Sequence, residues 1–92
     1  MTALVIVDLS PTDAENLSAY SSEAASTLVS FGGEFIAKGD IHILHGESPF
    51  QKKVVIQFPS REKALDWYNS AAYQAIIPLR DSGMRSQFHL LG

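Results

Sequence analysis

The chain has 92 residues, enough for one hydrophobic core and not for two. Hydrophobic residues make up 46% with no low-complexity tract, which excludes a disordered chain. A net charge of -3 excludes the basic surface that nucleic acid or an anionic membrane would select, and the lack of cysteine excludes disulfides and thiolate metal sites.

The opening Met1 to Asp8 segment shows no basic leader region, no long apolar core of a signal and no cleavage site. No apolar run approaches the roughly 20 residues of a membrane span. The expectation is a soluble, cytoplasmic protein made of a single domain over residues 1–92, and the Asn16-Leu17-Ser18 sequon is incidental. Ala3 to Leu9 reads as the first strand, apolar on both alternating sets: Leu4 and Ile6 on one face, Val5, Val7 and Leu9 on the other. Asp8, Ser10 and Pro11 are expected to end it. Thr12 or Asp13 then caps a helix whose apolar positions Leu17, Tyr20, Ala24, Leu28 and Phe31 recur at threes and fours. Gly32-Gly33 closes that helix.

Glu34 to Lys38 and Ile41 to His45 read as strand pieces around Gly39-Asp40, taken as a bulge in one long strand because four-residue arms make a marginal hairpin. Gly46 to Pro49 is a loop. Lys52 to Phe58 is the next strand, its last five residues β-branched or aromatic apart from Gln57. Pro59 stops pairing, and Ser60 caps a second helix with Ala64, Trp67 and Tyr68 on one apolar face. That helix should break at Asn69-Ser70 and resume over Ala71 to Ile77, with Ala72, Ile76 and Leu79 on one face. Pro78 should kink or end it, Asp81-Ser82-Gly83 should be a loop, and Ser86 to Leu91 the closing strand.

The order β-α-β-β-α-β predicts the α+β ferredoxin-like sandwich, a four-stranded antiparallel sheet with both helices on one face. Two helices cover one face only, yet the first strand is apolar on both, and Val55 adds to the second face. The same sheet of a second copy is the simplest cover, so a homodimer is expected.

The stretches Phe58-Pro59-Ser60, Glu62, Ala64, Trp67-Tyr68, Ser70, Tyr73-Gln74 and Leu79-Arg80 resemble the domain-of-unknown-function 1330 family. Those are small bacterial proteins among the dimeric α+β barrels, related to antibiotic-biosynthesis monooxygenases. Val5-Ile6-Val7-Asp8, Phe31-Gly32-Gly33 and Lys38-Gly39 extend the resemblance over the chain. The family usually carries Pro-Glu where Ala71-Ala72 stand here. The resemblance implies a homodimer with two sheets packed face to face; it implies no settled activity and places no catalytic residue on this chain.

Candidate site residues follow from the side chains. Trp67 and Tyr68 either pack the core or wall a pocket between helix and sheet, and helical spacing favours packing. Tyr20 faces the same interface. Arg80, just past Pro78, offers a planar guanidinium for a carboxylate or phosphate; its competing partners are Asp81, Glu62, Asp8 or helix-end carbonyls. His42 and His45, three apart in an expected strand, fall on opposite faces, so no metal site is expected, though either His42 or His45, facing a pocket, would serve as a general base. Asp8 is a lone carboxylate with no second acid at a useful spacing. No glycine-rich phosphate loop and no Gly-x-Ser-x-Gly elbow occurs, and no cofactor is implied. The combined expectation is a homodimer that binds or processes a small anionic or aromatic ligand in a pocket between sheet and helices. Its enzymatic form is a cofactor-free monooxygenase or isomerase, and the alternative is a structural or regulatory interaction module with no pocket.

Overall fold

A computed structural model describes residues 2–92. Strand β1 (Ala3–Pro11) leads to helix α1 (Ala14–Leu28), which tightens into a 3₁₀ turn over Val29–Phe31. Strands β2 (Glu34–Asp40) and β3 (Lys52–Phe58) follow, then the short helices α2 (Arg61–Tyr68), α3 (Ala71–Gln74) and α4 (Ile77–Gly83), and strand β4 (Met84–Leu91). The sheet order is β2-β3-β1-β4 and every pairing is antiparallel, as the element order predicts for the ferredoxin-like fold.

Period-two alternation decides which face of the sheet each residue serves. Val5, Val7 and Leu9 of β1 and Ile56 and Phe58 of β3 are buried beneath the helices. The other face carries Leu4, Ile6 and Asp8, with Val55 opposite Ile6 and Lys53 opposite Asp8. Asp13, not Thr12, caps α1: its Oδ1 accepts from the Asn16 N–H at 3.0 Å. Tyr20, Ala24 and Leu28 form the buried stripe of that helix. Gly32 then adopts φ 71, a left-handed turn that glycine takes without strain.

Several expectations are corrected. Strand β1 runs on through Ser10 and Pro11, which lies at the end of an edge pairing where its missing N–H is harmless. The bulge lies between Phe35 and Ala37 and not at Gly39-Asp40, and the strand stops at Asp40. Ile41 to His45 is therefore no strand but part of a long loop to Gln51, held at its far end by buried Phe50 beneath Arg85. Ser60 and Ser70 do cap separate helices, accepting from the Lys63 and Tyr73 N–H groups, so the break survives Ala71-Ala72. The new helix starts out of phase, which buries Tyr73 and exposes Ala72. Pro78 sits in the first turn of α4, where no N–H is needed, and so opens a helix. Asp81-Ser82-Gly83 belongs to that helix. Gly83 is buried against α1: a Cβ there would lie 2.6 Å from the Leu17 nitrogen. The Gly83 carbonyl also accepts from the Thr12 and Asp13 N–H groups at 2.9 and 3.1 Å. No described helix is long and apolar enough to cross a membrane.

Candidate functional site

The break at Ser70 aims two aromatic side chains into the core from two helices. Trp67, at the end of α2, is 0% exposed, and its indole N–H donates to Thr27 Oγ1 at 2.9 Å. Tyr73, from α3, is equally buried, with its ring centroid 4.3 Å from that of Trp67. The Tyr73 hydroxyl shares a 2.7 Å hydrogen bond with the Tyr20 hydroxyl of α1. Arg80 Nη1 donates to Tyr73 Oη at 3.3 Å and to Tyr68 Oη at 3.0 Å, and Nε donates to Asp81 at 3.0 Å. The guanidinium lies over the Phe88 ring, 5.0 Å from its centroid. Among the described residues no buried side-chain polar atom lacks a partner, so this network is fully satisfied.

Burial pushes the Tyr20 phenol far above its ordinary value, and Tyr73 beside it pushes the same way. Burial also raises Tyr73, against the lowering effect of its bonds to Tyr20 and Arg80. Burial works against the charge of Arg80, but its bonds to Tyr68, Tyr73 and Asp81 outweigh this and hold the guanidinium charged. Both phenols are thus neutral hydrogen-bonding groups at ordinary pH and unsuited to act as bases.

Between α1 and the sheet lies a cavity of about 430 Å³. Its walls are apolar, with Leu17, Leu28, Val54, Ile56 and Met84 among them, and Tyr20 and Trp67 form part of the lining. Lys38, Lys52 and Lys53 line its rim beside Phe35. A second cleft, about 360 Å³, runs along edge strand β4 and takes in Tyr68, Asn69, Arg80, Ser86 and His89. The five candidates therefore separate. Tyr20 and Trp67 line the cavity, Tyr68 and Arg80 line the cleft, and the hydrogen bonds through Tyr73 join the two pairs.

His42 lies exposed in the loop after β2, outside both spaces. Among the described residues no group of three potential ligands could hold a metal ion. Asp8 lies on the sheet face away from the helices, 3.1 Å from Lys53 Nζ and accepting from Gln87 at 2.8 Å. Burial alone would raise its carboxyl, and the bonds from Gln87 and Lys53 reverse this and lower it.

Sequence reasoning did not single out Tyr73, whose burial depends on the phase shift at Ser70. It also passed over Lys38, which reaches the helix side only because the bulge before Ala37 reverses the alternation of β2. A strand-period count that included the bulge would have found it.

A match to a family described as Domain of unknown function (DUF1330) spans residues 2–91. Among solved structures, a protein of unknown function from Rhodopseudomonas palustris superposes with TM-score 0.80 at 15% identity, covering 98% of this chain and 80% of that one. A dimeric ferredoxin-like protein of unknown function from Jannaschia sp. CCS1 gives 0.77 at 12% identity, covering 100% and 99%. SnoaB, a cofactor-independent oxygenase from Streptomyces nogalater, gives 0.72 at 5% identity, covering 99% and 91%. At these identities the likeness is one of fold. No curated protein matches the sequence.

Proposed function

The chain belongs to the DUF1330 family, and from that premise we propose that it is a homodimer that binds a small molecule in the cavity between α1 and the sheet. The cavity itself carries this reading: about 430 Å³ of apolar space between helix and sheet is within the usual range for small-molecule sites, and an interaction module would have that layer filled. Tyr20 would touch the ligand, with Trp67 fully buried behind the lining, while Arg80 and Tyr68 act as positioning residues that hold Tyr73 and, through it, Tyr20.

The dimer is supported by Leu4, Ile6 and Val55 on the sheet face that no helix covers, and by the dimeric relative from Jannaschia. Packing of two such faces calls for an interface on the order of 1,200–2,000 Å² or more. Light scattering at micromolar concentration should give twice the chain mass, and a monomer overturns this part of the reading.

The catalytic form of the proposal, a cofactor-independent oxygenase, draws on the likeness to SnoaB alone. Among the described residues no carboxylate or imidazole lines the cavity to take a proton from a ligand, which favours binding. The test is a thermal-shift screen of small apolar acids, alcohols and ketones against the parent and an Ala24→Trp variant, since Ala24 lines the cavity and tryptophan would fill it. Ligands should raise the parent's Tm by the mass-action amount and leave the variant unmoved. No response in the parent, or an equal one in the variant, refutes it.

A further inference from the structure

The distribution of charge around the cavity is uneven. Three of the four lysines in the sequence line it, and no aspartate or glutamate does, although the chain as a whole carries -3. The three are not equivalent. Lys53 sends its ammonium to Asp8 on the opposite face of the sheet, 3.1 Å away. Lys52 bonds Asp40 at 2.6 Å, which offsets much of its charge. Lys38 has no ion pair among the described residues; its ammonium rests 5.2 Å from the centroid of Phe35, itself a rim residue 37% exposed.

We propose that the ligand of this cavity is an amphipathic carboxylate, its apolar body against Leu17, Tyr20 and Val54 and its acid group at the rim on Lys38. The proposal rests on the cavity reading above and adds the chemical class. The placement follows from solvation. A carboxylate pushed into the apolar interior would lose its water with no cation there to replace it, whereas at the rim it stays partly hydrated and meets an ammonium. The Phe35 ring beside Lys38 lets a ligand cross from polar to apolar contacts within one side chain's width. A cationic ligand would meet like charge on entry, and a neutral one would leave Lys38 without a role.

Isothermal titration of the full chain with octanoate, octanamide and octylamine tests this, because the three share one apolar body and differ in charge. Octanoate should bind about two- to fivefold tighter than octanamide, the scale of one partly exposed ion pair, and octylamine weakest. Lys38→Met should remove the preference for octanoate while octanamide binding stays as in the parent, and raising salt to about 1 M should shrink the preference in the parent. Equal affinity for octanoate and octanamide, or a preference that survives Lys38→Met, overturns the carboxylate proposal and leaves the cavity standing. If none of the three binds, the cavity reading falls and this proposal with it.

Discussion

Replacing Tyr73 with phenylalanine removes one oxygen from the centre of the core and keeps the ring, so its cost reports on the hydrogen-bonded network alone. The lost hydroxyl is the partner of buried Tyr20 at 2.7 Å and an acceptor for Arg80 at 3.3 Å. Among the described residues the Tyr20 hydroxyl has no other hydrogen-bond partner, so it is left buried and unpaired, at a cost of about 1–3 kcal/mol. Arg80 keeps Tyr68 and Asp81 and adds little to this. Tyr20→Phe is gentler, since the Tyr73 hydroxyl retains Arg80, and should cost about 0.5–1.5 kcal/mol. The double variant leaves no orphan between the two rings, so it should cost less than the sum of the single changes. Urea unfolding of the four proteins measures all of this, and for a chain of this length 1 kcal/mol moves Tm by roughly 4–8 °C. If Tyr73→Phe costs no more than Tyr20→Phe, or the double variant is strictly additive, the network does not hold the core as described.

Trp67→Ala should cost about 3–5 kcal/mol, because it empties a fully buried site and takes a donor from Thr27 Oγ1; a Tm within a degree or two of the parent would place Trp67 at a yielding surface. Gly83→Ala should destabilise by at least about 1–3 kcal/mol, since the added carbon meets backbone atoms of α1 at Leu17, which cannot swing aside as a side chain would; calorimetry showing an unchanged Tm would refute that contact. Alkaline pH should unfold the protein through the tyrosines. Burial holds both phenols protonated above the unfolded value near 10, so the folded state binds more protons there and stability falls as pH rises past about 10. The Tyr20→Phe, Tyr73→Phe double variant should show a shallower fall in urea midpoint between about pH 9 and about pH 11, and an equal slope would contradict the assignment.

The fold was legible because its signals are local and agree with one another. Ser60 caps where its side chain predicts, Asp13 is one of the two residues expected to cap α1, the helix breaks at Asn69-Ser70 as expected, and the apolar alternation of β1 includes the face buried beneath the helices. The candidate site was only half legible. Tyr20 and Trp67 follow from helical spacing within one element each. Tyr73 and Lys38 depend on phase changes, one at a helix break and one at a bulge, and a single residue of slip reverses which way a side chain faces. Gly39 misled the reading of β2 because glycine marks many bulges, whereas the extra residue here lies between Phe35 and Ala37 with no glycine at all. The Ile41 to His45 run carries strand-forming residues, yet among the described residues no strand pairs with it, and β-propensity without a partner makes no strand.

The claim that the α1–sheet cavity holds a ligand is tested most directly by a nitrogen-15 amide correlation spectrum recorded through a titration with octanoate. The single tryptophan supplies an indole resonance inside the lining itself. The account predicts shifts at the Trp67 indole and at the amides of Tyr20, Ala24, Leu28 and Val54, with Leu4, Ile6 and His89 unmoved. Shifts confined to the opposite sheet face or to the β4 cleft, with the Trp67 indole still, would contradict it.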